Sequence, residues 1–322
     1  MKTFPFFLLF TLMISCENSQ KRNYTFYYWR THLSLNNSEK IALQKSTSSY
    51  IYTRFFDVEK VEGKFQPVAV ITKDQTFETD KEIVPVIFIK NDVFYSITLD
   101  EINFLAENVY SLIKKKQTEF GFKISNEIQI DCDWTAGTNK EYFAFLKKLK
   151  EFSGKEITST LRLHQVKNSK LSGIPPVEKV YLMCYSTSSP LENSNRNSIL
   201  DISTLKNYLK NIDLYPLDMD IALPIYSWGI VTNHVGKHKL INALSLKDLE
   251  NPNFKKISET EVEIMKNGFY FGNFLNKGFT IKVEQISEQQ LKEVKSFLDQ
   301  KISNYSIIYY HLDRRFIDQH NY

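Results

Sequence analysis

The sequence predicts an α/β fold, a parallel (β/α)8 barrel of the TIM type. Three observations predict it. Eight apolar, β-branched or aromatic runs of strand length are spread along the 322 residues, with amphipathic helical stretches between most of them. That alternation is the pattern of a parallel sheet covered by helices. The length suffices to close the sheet, since about 250 residues make such a barrel. A doubly wound open sheet, built from the same alternating order, is the structural rival.

The chain begins with a segment outside the barrel. Lys2 is the only charged side chain in the first 15 residues, and 4–14 form a nearly unbroken apolar run of 11. The run is too short to cross a bilayer, which takes about 20 residues, and has the length of a signal-peptide core. Residues 1–15 are therefore read as a signal peptide, 16–23 as a short polar tether, and 24–322 as the barrel domain.

The barrel elements follow in order. Strands are expected at 25–29, 50–56, 83–89, 127–134, 157–163, 179–185, 219–228 and 305–312. The third is apolar enough to be buried on both faces. Helices are expected at 38–44 with Ser38 as N-cap, at 99–116, at 139–152, at 201–212 and at 287–301. The 99–116 helix carries Ile102, Leu105, Ala106, Val109, Leu112 and Ile113 on one stripe, and lysines close its last turn. Ser287 and Gln290 form a capping box. The links at 57–82 and 164–178 lack a clear helix, and about 229–280 form a long insertion after the seventh strand.

The segment richest in chemistry is Ile128-Gln129-Ile130-Asp131-Cys132-Asp133-Trp134-Thr135. Alternation along a strand puts Asp131 and Asp133 on one side, with Cα atoms about 6.5–7 Å apart at a rise of ~3.3 Å per residue. If Ile128, Ile130 and Cys132 face the helices, both acids face the barrel interior near its C-terminal mouth. Buried acids are costly unless paired or used, and close like charges push one pKa up. The ends of other strands add candidates to the same rim: Arg54, Asp57 and Glu59 after the second, His164 after the fifth, and Tyr185 ending the sixth. Tyr226 and Trp228 end the seventh, and His311 and Asp313 end the eighth. Aromatic faces beside polar groups suit a sugar ring. Each also has a structural reading: Arg54 as a counter-ion for Asp131, His164 as a loop residue, Tyr226 and Trp228 as core.

Two resemblances rest on these residues. Leu12-Met13-Ile14-Ser15-Cys16 resembles the lipobox of bacterial lipoproteins, with Met13 where leucine is usual. It implies cleavage before Cys16, lipid attachment to that thiol, and an envelope location facing the periplasm or the outside. Asp131-Cys132-Asp133-Trp134 is similar to the fourth-strand motif of family 18 glycoside hydrolases, the chitinase-like barrels. Met183-Cys184-Tyr185 resembles their sixth-strand Met-x-Tyr element, and 222–228 their seventh strand. The likeness implies a glycan ligand, with Asp131 and Asp133 as catalytic residues. The sequence departs from the pattern at the general acid, where Thr135 stands for glutamate. The third-strand Ser-x-Gly-Gly is also missing, since the chain reads Phe88-Ile89-Lys90-Asn91. Two functions therefore stand open. One is a glycosidase in which Asp131 or Asp133 is acid or orienting carboxylate and Glu59 or Asp313 supplies a second carboxylate. The other is a barrel without turnover that binds a glycan or serves as a structural lipoprotein.

Composition narrows the partners. A net charge of +4 is too balanced to predict nucleic-acid binding. Three cysteines make no disulfide framework, and Cys132 and Cys184 are expected to pack outward as small hydrophobes. His234 and His238 have i, i+4 spacing, but Gly236 lies between them and no Glu follows His234, so no metal is predicted. No phosphate loop, dinucleotide fingerprint or nucleophile elbow appears, so no cofactor is expected. The membrane is expected as a partner only through Cys16.

Overall fold

The structure is a computed structural model that describes residues 22–192 and 195–320. Cys16 and the segment read as a signal peptide lie outside the described residues. No helix among the described residues is long and apolar enough to cross a membrane.

Eight parallel strands form a closed ring. They are β1 (Tyr24–Tyr28), β2 (Tyr50–Val61), β3 (Glu82–Ile89), β4 (Glu127–Asp131), β5 (Glu156–Arg162), β6 (Lys179–Met183), β7 (Asp218–Pro224) and β8 (Ile307–Tyr310). Each pairs with the next, β8 pairs with β1, and the β1–β2 pairing of Tyr27 with Tyr52 closes the circle. The open-sheet alternative is thereby excluded. β3 reads Glu-Ile-Val-Pro-Val-Ile-Phe-Ile, and six of its eight residues are buried, because helices cover the outside while side chains fill the inside.

The helices lie where amphipathic stripes demand burial. α1 (Asn37–Lys45) is capped by Asn36 and Glu39 rather than by Ser38. Asn36 accepts from the Glu39 amide, and Glu39 returns a bond to the Asn36 amide. α2 (Leu99–Phe120) buries Ile102, Leu105, Ala106, Val109 and Ile113, which contributes on the order of 10 kcal/mol. It runs past the lysines because nothing breaks it before Gly121, whose φ of 68° ends it. α3 is Asn139–Ser153, ended by Gly154 at φ 63°. Two short helices, α4 (Leu163–Lys167) and α5 (Ser169–Ser172), occupy the fifth link. α6 (Ile202–Tyr208) is shorter than its sequence suggested, with Asp201 as N-cap. α7 (Glu288–Asp299) carries the Ser287–Gln290 capping box, and α8 (Arg314–Ile317) follows β8.

Several strands end elsewhere than expected; β6, β7 and β8 stop at Met183, Pro224 and Tyr310. β2 continues to Val61 and turns back through Lys64–Val68 as an antiparallel hairpin, so the link after it is strand rather than helix. β4 stops at Asp131, leaving Asp133 beyond the ladder. After β7 the chain leaves the barrel. Trp228 opens a five-stranded antiparallel sheet ordered His238–Asn242, Trp228–Thr232, Thr280–Glu284, Glu261–Ile264, Phe254–Lys256. This sheet has its own apolar core, including Val231, Ile241, Val262, Ile264 and Ile281.

The N-terminal end of the barrel is plugged by a polar network. Thr158 donates to Glu127 at 2.7 Å, Tyr52 donates to the other Glu127 oxygen at 3.4 Å, and Tyr52 and Tyr181 share a 2.6 Å hydrogen bond. Asp220 is paired with Lys179 at 3.0 Å and accepts from the Ser306 amide at 2.7 Å.

Candidate functional site

The C-terminal mouth holds a cavity of about 490 Å³. Trp29, Arg54 and Asp57, Phe88, Asp131, Arg162 and Met183 contribute from the first six strand ends. Tyr185, Ser186, Tyr226, Ser227 and Trp228 follow the sixth and seventh, Asn242 comes from the inserted sheet, and Tyr310, His311, Arg315 and Phe316 close the circle. This is the end of a barrel where loops converge and ligands bind. A wider groove of about 820 Å³ lies beside α1 and the end of α2. Its lysines are surface groups; Lys81 is bound to the Ser46 and Ser48 carbonyls, and Lys123 to Glu82.

Five rings form one wall of the mouth. Tyr226 packs on Trp228 at 5.2 Å and on Tyr310 at 5.7 Å between centroids. Tyr185 stacks on Tyr310 at 5.3 Å, and Trp29 meets Tyr310 at 5.5 Å. Trp228 is held by a 2.9 Å hydrogen bond from its indole to Glu284, a buried carboxylate of the inserted sheet that also accepts from Ser198 and Lys282. The insertion thus positions an aromatic of the mouth.

The charged groups sort into pairs, with one left over. Arg54 donates Nε to Asp57 Oδ1 at 2.6 Å and Nη2 to Oδ2. Arg162 donates Nη2 to Asp133 Oδ2 at 3.0 Å and Nε to Oδ1. Arg315 donates to both Asp313 oxygens, at 2.9 and 2.7 Å. These forks satisfy guanidinium and carboxylate together. Asp131 has no such partner. It is 4% exposed and, among the described residues, accepts only from Thr160, at 2.7 Å on Oδ1. Burial pushes its carboxyl up to about 6, aided by the Asp133 charge and opposed by Arg162 and the Thr160 hydrogen bond. His311 is shifted the other way. Burial lowers it to about 4, against the pull of Asp313. Its ring makes no hydrogen bond among the described residues, and Nδ1 is sealed. The Tyr185 hydroxyl and Ser227 Oγ are likewise buried without a partner.

The sequence candidates divide accordingly. Asp131, Arg54, Asp57, Tyr185, Tyr226, Trp228 and His311 line the cavity. Asp133 does not; past the strand end it turns onto Arg162, with which it is ion-paired. Asp313 is buried behind Arg315, whose hydrogen bonds outweigh burial and hold it down at about 2. Glu59 sits on the hairpin extension of β2, ion-paired with Lys90 at 2.8 Å. His164 is exposed on α4, because the strand it was read as closing ends at Arg162. Arg54 neutralises Asp57, three residues away, rather than Asp131. Thr135 is exposed and its amide donates to Thr138, so it helps start α3. Cys132 and Cys184 are buried free thiols. His234 packs on Phe279, and among the described residues no metal-ligand cluster occurs. Sequence reading passed over Trp29, Arg162, Ser227, Tyr310, Arg315 and Glu284. Arg162 had a signal, a lone charge ending a strand; Glu284 had none, since its contact crosses from the insertion.

No protein-family profile matches the chain, and no curated protein does. Solved structures do. The spore cortex-lytic enzyme SleL of Bacillus cereus matches with TM-score 0.56 over 92% of this chain and 72% of its own, at 13% identity. A chitinase from Chromobacterium violaceum matches with TM-score 0.55 over 92% of this chain and 97% of its own, at 10% identity. At these identities the likeness is one of fold. The chain is a (β/α)8 barrel of the kind found in chitinase-like enzymes.

Proposed function

We propose that this chain is a lipid-anchored envelope protein whose barrel mouth takes a sugar unit of a glycan and acts on it through Asp131. The observation that carries this reading is Asp131 itself: a buried carboxyl that makes no ion pair among the described residues, facing a cavity walled by aromatic rings. Rings of this kind pack against the CH faces of sugars, and a carboxyl that is neutral below about pH 6 is a hydrogen-bond and proton donor to a sugar oxygen. The three forked Arg–Asp pairs leave no uncompensated cation beside it, which suits an uncharged ring. Attachment at Cys16 follows from the lipobox resemblance.

Binding without turnover is the second reading. Two observations favour it: Asp133 is clamped by Arg162, and Thr135 occupies the position where the resembled family carries its acid. A glycan panel headed by chitin oligosaccharides and spore-cortex fragments, the materials named for the structural neighbours, tests both. Saturable binding by the full-length protein that Asp131→Asn abolishes supports the proposal. An absence of binding across the panel overturns it.

A further inference from the structure

We infer that His311 is the general base of the mouth, paired with Asp131 as general acid. This rests on the glycan reading above and adds to it a reaction with named groups. Hydrolysis of a glycosidic bond ordinarily employs two carboxylates flanking the bond. Here Asp57, Asp133 and Asp313 are each consumed by an arginine fork. Among the described wall residues, His311 is the basic side chain outside those forks: it lines the same cavity as Asp131, and its ring makes no hydrogen bond there. In the tautomer protonated at Nδ1, Nε2 is the basic nitrogen.

The surroundings set the roles. Around His311 stand Asp313, the N-cap of α8, Arg315 from α8, Arg30 from the segment after β1, and the Tyr310 and Phe316 rings. Around Asp131 stand Arg162, Asp133, Asp57 and the Thr160 hydroxyl. Burial dominates at both and reverses their usual order, so that between about pH 4 and about pH 6 the carboxyl holds its proton while the imidazole is free. Environments that push two titratable groups apart assign acid and base.

The step balances without a cofactor. A water molecule attacks the anomeric carbon and gives its proton to His311 Nε2. The bond from that carbon to the leaving oxygen breaks, and that oxygen takes the Asp131 proton. Imidazolium and carboxylate then return to their starting forms by exchange with solvent.

The test is release of reducing ends from the glycan panel by the full-length protein across pH 3–8, with binding measured in parallel. The expected result is a bell-shaped kcat/KM with limbs near pH 4 and pH 6. His311→Gln and His311→Asn should lower kcat about 100-fold or more and remove the acid limb while binding persists. His164→Gln, on the exposed face of α4, should leave turnover unchanged. Unchanged turnover in both His311 variants overturns the inference. Binding by wild-type protein without release of ends at pH 5 also overturns it and leaves glycan recognition standing. No binding at all overturns the glycan reading instead.

Discussion

The two ends of the barrel both bury acids, and they treat them differently. At the N-terminal end, Glu127 receives Thr158 and Tyr52, while Asp220 receives Lys179 and the Ser306 amide. At the C-terminal end, among the described residues, Asp131 receives Thr160 alone, and Tyr185, Ser227 and His311 each keep a buried polar atom without a partner. Burial raises both Glu127 and Asp131. A raised carboxyl therefore does not separate a plug from a site. Several unmet groups beside the acid do, because a satisfied network has nothing left to offer a ligand; at the N-terminal end Tyr215 also keeps a buried hydroxyl without a partner among the described residues, but Glu127 and Asp220 are themselves satisfied.

The comparison is sharpest at Asp131. Its folded pKa is raised, so its contribution to stability is fully present below the ordinary carboxylate value and is lost as the pH rises through about 6. Asp131→Asn should accordingly stabilise the protein by up to about 3 kcal/mol at pH 8 and leave stability near pH 3.5 unchanged, while glycan binding is lost. Denaturant melts at the two pH values check this; destabilisation at pH 8 would place Asp131 with the plug.

His311 gives the opposite slope. Its folded pKa is lowered, so its stabilisation is present above pH 6.5 and is lost as the pH falls toward about 4. Water in the open cavity reduces the effect to about 2 kcal/mol. His311→Asn should flatten the stability profile over that window, as read from urea midpoints at half-unit steps.

At the plug the expectation is loss without functional consequence. Asp220→Ala leaves Lys179 and the Ser306 amide unpaired, and should cost about 2 kcal/mol once the partial exposure of Lys179 is discounted. Glycan binding should remain. A drop in affinity with an intact fold would show that the two ends are coupled.

The smallest effects come from single hydroxyls. Thr158→Val strands a Glu127 oxygen and should cost about 1 kcal/mol, whereas Ser227→Ala removes a hydroxyl that has no partner and should change stability by less than about 0.5 kcal/mol. Equal costs for the two would erase the distinction between the ends.

Local sequence determined the order of strands and helices, the α2 and α3 stripes, the α7 cap and the inward side of Asp131 on its strand. These follow from side-chain period and from backbone groups satisfied within a few residues. Tertiary structure decided which charges remained free. Asp133 and Arg162 are 29 residues apart, Trp228 and Glu284 are 56 apart, and no periodicity encodes such pairings. The closing contact between β1 and β2 and the sealing of His311 Nδ1 likewise exist only once the circle is complete. Proximity across a folded barrel, rather than spacing along the chain, sets both the partner and the solvent exposure of a charged group.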